Sequence, residues 1–316
     1  MTSFRNSLRA GWWATLCLLI GSGCATTPYH FGHRPQPDVV VPGTMVLEEG
    51  KPSKTLDRFA WVIGTPARIL PLDSRINRHS LSPETTAKLK DYLEKNDLTD
   101  VYVYVNHYDP KGQWKRLREN NLISPVWRYS VGVFSWIGYT VLPNRVLGGD
   151  MYNPYTNSLY LNSDVPAVVL HEAAMAKNVH SRPLPGTYAV INELPLISLM
   201  NHGRAVGDVL GYARKDSDWE KEREAYHVVY PRMGMECTAP AASFIAGWWS
   251  APILAVGGAA AGHVAGRTLA ARNEPHSGHP SEPAALPSDS IRQVNHSEPA
   301  EATERSLFPL ERLPKP

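Results

Sequence analysis

The sequence predicts an α+β fold with a small sheet and one buried helix. Residues 101–106 alternate valine with tyrosine or asparagine, which is the period-two pattern of a half-buried strand. Residues 165–179 read VPAVVLHEAAMAKNV, an apolar run with proline in its first turn, typical of a helix buried on nearly every face. Residues 238–266 carry no charged side chain apart from the titratable His263 and predict a further apolar helical segment, rich in Gly and Ala.

The composition indicates a globular chain with one main core. Its 316 residues are 43% hydrophobic, enough for one core and an accessory segment. The 32 Lys and Arg residues nearly balance the 30 Asp and Glu residues, so the charge gives no reason to expect a nucleic-acid partner. Of the three cysteines, only Cys237 lies in the body of the chain, which excludes an internal disulfide framework after signal removal.

Residues 1–24 resemble the signal of a bacterial lipoprotein. Basic residues precede an apolar run at 12–20, and the small residues 21–23 directly precede Cys24. The resemblance implies that Cys24 is lipidated and anchors the protein to a membrane of the bacterial cell envelope, facing the periplasm or the exterior. Gly21 stands where such signals usually carry Leu, so plain secretion and an uncleaved anchor remain alternatives.

The chain after the signal divides by composition. Residues 25–55 are rich in Pro, Thr, Gly and His, which is typical of an extended linker. The predicted domain covers 56–237 and begins with apolar residues at helical spacing. A helix starts at Ser82, where Ser-Pro-Glu is typical of a helical N-terminus, and a shorter one follows the strand, at 113–119.

Two further strand regions are predicted before the buried helix. Residues 129–142 (YSVGVFSWIGYTVL) are uncharged and rich in β-forming side chains, which favours one or two buried strands. The run is shorter than the roughly 20 residues of a membrane-spanning helix. Residues 158–162 (SLYLN) predict a short strand that leads into the buried helix, with Ser163 or Asp164 as its N-cap.

The buried helix carries His171 and Glu172 in the middle of its apolar run. A buried imidazole or carboxylate costs several kcal/mol unless it is paired, hydrogen-bonded or bound to metal. HEAAM differs by one residue from H-E-x-x-H, in which two histidines bind zinc and the glutamate is the general base. The second histidine is replaced by Met175, one turn on and on the same face, and a thioether is a poor zinc ligand.

A second long helix is predicted from Leu194. Its apolar face is interrupted by His202, Arg204 and Asp208. Because His202 interrupts that face, we expect it to face His171 across the two helices.

Residues 148–178 (GGDMYNPYTNSLYLNSDVPAVVLHEAAMAKN) and 194–214 (LPLISLMNHGRAVGDVLGYAR) together carry a family resemblance. They resemble a family of uncharacterised bacterial envelope proteins of planctomycete type, in many of which the motif helix reads HExxH. The resemblance covers about residues 56–266. It implies a zincin-like metallopeptidase domain and no specific activity.

The same resemblance assigns roles residue by residue. It implies that His171 is a metal ligand, that Glu172 is the catalytic base, and that the position of His202 holds the third ligand, a glutamate in the family. Asp208, six residues further on, matches the family's aspartate and is expected to support that ligand. Met175 and His202 depart from the pattern, so we expect zinc to bind weakly or not at all. A soft-metal site formed by His171, Met175 and His202 remains an alternative.

These observations lead to two readings of function. The first is an envelope-anchored lipoprotein whose degenerate metallopeptidase-like domain is non-catalytic and has a binding or scaffold role, with His171 and Glu172 as a hydrogen-bonded core pair. The alternative is an active metal-dependent hydrolase, a peptidase, that uses His171, His202 and Glu172. The sequence names neither a substrate nor a protein partner.

The C-terminal part of the chain contains a second segment that could associate with a membrane. Residues 238–266 place Gly258, Gly262 and Gly266 four apart, the spacing of closely packed helix pairs in membranes. We expect a helix or hairpin there that either packs on the domain or associates with the membrane beside lipidated Cys24. Residues 267–316 are rich in Pro, Ser, Glu and His beyond Arg272 and predict a disordered tail.

Overall fold

The computed structural model describes residues 29–30, 32, 46–51, 54–63, 65–142, 149–246 and 251–275. The chain divides into two units, Met1–Glu274 and Pro275–Pro316, and all elements below belong to the first. The predicted signal, including Cys24, and the predicted tail beyond residue 275 lie outside the described residues.

Four short strands form one sheet in the order β1-β2-β4-β3. The first three in this order run parallel, with Val103 paired to Leu159, and β3 is antiparallel to β4. All four residues of β4 are buried, because helices cover the sheet. The strands are β1 (Val46–Glu49), β2 (Tyr102–Val105), β3 (Met151–Asn153) and β4 (Ser158–Leu161).

Helices make up most of the described chain, and the predicted mixture of helices with a small sheet is confirmed. A π-helical segment, Ala225–Val229, joins two of the helices. The helices are α1 (Lys54–Ile63), α2 (Thr65–Ile69), α3 (Pro83–Lys95), α4 (Pro110–Glu119), α5 (Pro125–Tyr129), α6 (Val131–Val141), α7 (Pro166–His180), α8 (Pro185–Ile191), α9 (Pro195–Lys215), α10 (Trp219–Glu224), α11 (Tyr230–Ala246) and α12 (Ala251–Asn273).

Helix α7 lies at the centre of the core and carries the HEAAM motif. It packs against α3, α9, the sheet and the π-helical segment that precedes α11. Twelve of its fifteen residues are buried, which agrees with the apolar run in the sequence. The predicted N-cap is wrong: α7 begins after Val165, which has no capping side chain, and the Ala167 N–H donates instead to the Glu224 carboxylate at 3.1 Å.

Asp164, one of the two predicted caps of α7, instead stabilises the start of α3. Its carboxylate accepts hydrogen bonds from the Ser82 N–H at 2.8 Å and from the Thr85 hydroxyl at 2.7 Å. Ser82 is itself the N-cap of α3, since its hydroxyl oxygen accepts the Thr85 N–H. The loop before the motif helix is therefore tied to a second helix of the core.

The prediction of strands at 129–142 is wrong, because this stretch forms the end of α5 and then α6. An uncharged run of aromatic and β-branched residues has no periodicity that separates a strand from a helix. Tertiary contacts decide between them: Trp136 packs on Trp114 with 4.9 Å between ring centroids and donates its indole N–H to the Pro110 carbonyl. Phe134, on another side of α6, is 75% exposed.

The predicted boundaries also shift. Strand β1 lies within the predicted linker and pairs with β2, so the sheet begins before residue 56. Tyr29 and His30 also contact the domain, through the Asn96 side chain and the Lys177 ammonium. Helix α12 continues to Asn273, past the boundary expected at 266. Among the helices that the structure describes, none combines the length and apolar character that a membrane crossing requires.

Candidate functional site

The candidate site is built around the two ionisable residues of α7. His171 is 1% exposed and Glu172 is 4% exposed, so both need partners inside the core. The partners come from the loop before β3, helix α9 and helix α11, and Asp150 in that loop lies 82 residues before Arg232 on α11. We call the six residues the arginine cluster: Asp150, His171, Glu172, His202, Arg232 and Glu236.

Arg232 on α11 links the carboxylates of the cluster. Its guanidinium donates to Asp150 Oδ2 at 3.0 Å, to Glu172 Oε1 at 3.0 Å and to Glu236 Oε1 at 2.6 Å. Burial on its own lowers the pKa of Arg232, but the carboxylates of Glu236, Glu172 and Asp150 outweigh it and the net shift is upward. Arg232 is therefore a fixed internal cation held by three acidic residues.

Asp150 fixes the backbone around the motif as well as Arg232. Its Oδ1 accepts the N–H groups of Asn162 and Ser163, at 2.7 and 2.9 Å, in the loop between β4 and α7. Its Oδ2 accepts the Ser163 hydroxyl at 2.5 Å, in addition to the guanidinium. A single buried carboxylate thus couples the entry into the motif helix to α11.

The two histidines form the other half of the cluster. His171 Nε2 lies 3.4 Å from His202 Nδ1, and the rings are nearly parallel with centroids 5.2 Å apart. On its other side, His171 Nδ1 lies 3.3 Å from Glu172 Oε1. The structure therefore brings His202 to His171, as the interruption of the second helix's apolar face suggested.

The electrostatics of the cluster are unbalanced. Burial lowers the pKa of His202 to about 4, with help from His171, so this imidazole is neutral at pH 7. Burial alone raises the pKa of Glu236, but the Arg232 guanidinium lowers it by more, so the net shift is downward and the carboxylate is ionised. Glu236 Oε2 lies 3.9 Å from His202 Nδ1. One guanidinium thus serves three acidic side chains.

Only part of this cluster fits a metal site. Two imidazole nitrogens bound at about 2.0–2.1 Å to one tetrahedral zinc lie about 3.3 Å apart, close to the observed separation of His171 and His202. A third donor in matching position is missing: within the described residues, no group of three His, Cys, Asp or Glu side chains is arranged to hold a metal ion. The cluster supplies a two-nitrogen donor pair and a carboxylate, Glu236, at longer range.

The other predicted site residues, Met175 and Asp208, lie outside the arginine cluster. Met175 is half-buried and packs against the main hydrophobic core. Asp208 accepts a 2.8 Å hydrogen bond from the Lys177 ammonium and another from the Tyr92 hydroxyl. These contacts place Asp208 in a second ionic group. They do not include the predicted contact with the residue at position 202.

Sequence reasoning missed Asp150, Arg232 and Glu236. A signal for two of them exists, since Arg232 and Glu236 are spaced i, i+4 in an otherwise apolar stretch, as expected of an ion pair on one helical face. Nothing local to Asp150 distinguishes it from a loop aspartate. Its place in the cluster depends on the ion pair with Arg232, 82 positions away in the chain.

The chain matches no protein-family model, no curated protein and no solved structure.

Proposed function

We propose that this protein is an envelope-anchored bacterial lipoprotein whose domain is a degenerate, zincin-like metallopeptidase relative with a non-catalytic binding or scaffold role. The observation that carries the proposal is the hydrogen bond between Arg232 and Glu172. Glu172 occupies the position of the general base in HExxH, and here a guanidinium holds it inside the core.

A general base must have a lone pair within reach of the water it deprotonates. Glu172 Oε1 is bonded to Arg232 and lies beside His171 Nδ1, and its side chain is 5% exposed. Because Oε1 is already engaged by the guanidinium in a buried position, Glu172 is poorly placed to activate a water, even with a metal on the histidines.

The motif itself supports the same conclusion. Met175 replaces the second imidazole of HExxH, and its thioether packs with the apolar core. Losing an imidazole ligand weakens zinc binding, since catalytic sites hold zinc with about three protein ligands. Arg232 gives the acidic side chains a permanent cation in the region where an ancestral site would hold a metal.

The envelope location and the anchor rest on the sequence. The small residues before Cys24 favour lipidation, and the short strand β4 leading into the motif helix is the local order expected of a zincin-like domain. The C-terminal helices, with glycines at four-residue spacing, are proposed to pack on this domain or to associate with the membrane.

One observation favours the second candidate, a metal-dependent hydrolase. The 3.4 Å separation of His171 Nε2 and His202 Nδ1 is long for a hydrogen bond between nitrogens and close to that of two ligands on one zinc. Glu236, with a 28% exposed side chain, places its Oε2 3.9 Å from His202 Nδ1. Movement of Glu236 toward the two histidines would add a third ligand.

Metal analysis of the purified full chain separates the two candidates. For the non-catalytic domain we expect well under one zinc per chain, and a chelator should leave the unfolding temperature unchanged, because there is no binding free energy to remove. His107→Ala, which alters a histidine outside the arginine cluster, is the control for non-specific zinc. Stoichiometric zinc that is lost in His171→Ala and in His202→Ala, but retained in His107→Ala, would establish the hydrolase candidate instead.

A further inference from the structure

A second site candidate is a cleft of about 900 Å³ on another part of the domain. Its walls come from residues 71–75, the start of α3, helix α10, the π-helical segment and helix α12. None of its lining residues belongs to the arginine cluster. The cleft therefore has to be explained by its own chemistry.

The acidic side chains that line the cleft are all ion-paired, and Arg75 is shared by two of them. Each carboxylate lies within 3.0 Å of a basic side chain in the same lining, so these groups pair with one another in the absence of a ligand. The pairs are Asp73 and Glu224 with Arg75 at 2.7 and 2.8 Å, Glu84 with Lys88 at 2.6 Å, Asp218 with Lys221 at 3.0 Å, and Glu220 with Arg223 at 2.6 Å.

The basic side chains are not all used. Arg267 has neither an ion pair nor a hydrogen bond within the part of the chain that the structure describes, although it lines the cleft. Two helical stretches each present a basic pair spaced i, i+4 toward the cleft. Arg223 and His227 come from α10 and the π-helical segment, and His263 and Arg267 come from α12.

These basic side chains line the same cleft. Burial lowers the pKa of His227, and the positive charges of Arg223 and Arg267, with His263, lower it further. His263 is held in place by a 2.7 Å hydrogen bond between its Nε2 and the Leu70 carbonyl. Arg223 already pairs with Glu220 at 2.6 Å, so Arg267 is the arginine of this wall that has no acidic partner within the described residues, and a bound anion would supply one.

The backbone holds the two basic pairs side by side. A Cβ on Gly266 would overlap the Tyr226 carbonyl, and a Cβ on Gly262 would overlap that of Tyr230, so only glycine lets α12 approach this closely. His227 lies inside the five-residue π-helical segment. The π-helix is an uncommon local structure that is frequent at functional sites. The glycine spacing that resembles a membrane helix pair thus fixes the cleft's basic wall.

The geometry points to an anion site in this cleft that binds the phosphate group of a phosphorylated molecule through Arg267, Arg223, His227 and His263. Basic side chains from two helical stretches on one cleft wall suit the oxygens of a phosphate, and arginine can bind two of them at once. The cleft is far larger than a phosphate ion, and its other wall carries the carboxylates of Asp73 and Glu224. Those acceptors suit hydroxyl or amine groups on the rest of the ligand.

The phosphate could belong to a soluble molecule or to a lipid headgroup, and titration calorimetry of the full chain in detergent distinguishes them. The two probes are inorganic phosphate and a soluble short-chain phosphatidic acid. We expect saturable binding of at least one. A phosphatidic acid affinity at least tenfold above that of inorganic phosphate would assign a lipid headgroup, whereas similar affinities would assign a soluble phosphorylated molecule.

Exposed arginines of the same helix provide the matched variants. Arg267→Gln should weaken binding of the probes at least tenfold, and His227→Gln should weaken it less, because a neutral imidazole contributes only a hydrogen bond. Arg272→Gln removes the same charge from α12 outside the cleft and should leave binding unchanged. Equal affinities in the Arg267 and Arg272 variants, or no binding of either probe to the natural chain, would overturn the assignment. Unchanged circular dichroism melting confirms that the variants are folded.

Discussion

Two buried ionic groups lie on different faces of helix α7, and their charges are organised differently. The lysine cluster consists of Lys177, Asp208, Tyr92 and Tyr29: the ammonium bonds to Asp208 at 2.8 Å and lies 4.3 Å from the centre of the Tyr29 ring. The arginine cluster has one guanidinium for three acidic side chains and two imidazoles. Lys177 is five residues beyond Glu172, about 140° further around the helix.

The difference separates a structural group from a candidate site. In the lysine cluster one cation meets one anion, and the remaining donors and acceptors are satisfied by the Tyr92 hydroxyl and the His30 carbonyl. Such a pair needs no ligand. In the arginine cluster the acidic groups outnumber the fixed cation, and surplus buried charge is costly unless a proton or another cation compensates. The surplus charge therefore makes the arginine cluster, and not the lysine cluster, the candidate site.

The largest effect is expected from Arg232→Met. Removing the fixed cation of the cluster leaves the buried Asp150 and Glu172 carboxylates and the partly buried Glu236 without a counter-charge, and we expect a loss of about 3–5 kcal/mol in the free energy of unfolding. Urea denaturation at pH 7 measures it. Arg204→Met, which replaces an exposed arginine on α9, should change stability by no more than about 0.5 kcal/mol. A loss below 1 kcal/mol for Arg232→Met would show that the acidic groups are compensated in another way.

The next effect is a pH dependence that belongs to the arginine cluster. The folded protein keeps His202 neutral down to pH about 4, whereas the unfolded chain protonates it below about 6.5. Stability should therefore be complete above pH 6.5 and fall as the pH decreases toward 4, by about 2–3 kcal/mol from this residue. Urea denaturation across this range, with chelator present, should show a smaller decrease for His202→Asn. Parallel curves for the two proteins would contradict the lowered pKa.

A smaller loss is expected when the lysine cluster is broken. In Lys177→Met the Asp208 carboxylate keeps its hydrogen bond from the Tyr92 hydroxyl, and its side chain is 18% exposed to water. The substitution should therefore lower the free energy of unfolding by about 2 kcal/mol, less than Arg232→Met does. Adding Asp208→Asn removes the unpaired charge, so the double variant should be more stable than the sum of the two single losses predicts. If Lys177→Met costs more than Arg232→Met, the contrast between the clusters is wrong.

The smallest effect tests whether the arginine cluster can accept a metal. Met175→His restores the i, i+4 pair with His171, so zinc at about five times its Kd should stabilise this variant by about 1 kcal/mol relative to its chelated form. Zinc-dependent thermal unfolding measures this gain. Met200→His, at a methionine 56% exposed on α9, is the matched control. No gain for Met175→His would remove the support for a zincin-like ancestry.

The sequence by itself determined the elements whose patterns are local. The apolar run around His171 is sufficient for the buried helix α7, the alternation at 101–106 for strand β2, and Ser82 with Pro83 for the start of α3. It also indicated that His202 would face His171, since a polar residue on an apolar helical face points toward other elements of the core.

Tertiary structure alone decided the remainder. Residues 129–142 became helical because aromatic packing between Trp114 and Trp136 outweighed the β propensity of an uncharged run. The ion pair of Glu172, the expected base, with Arg232 also depends on tertiary structure, because the two residues are 60 positions apart in the chain. Charge compensation in a core depends on which charged groups are in contact. The spacing of residues in the sequence does not show which distant segments make those contacts. The lysine cluster illustrates the same limit, since Asp208 lies with Lys177 and not behind His202.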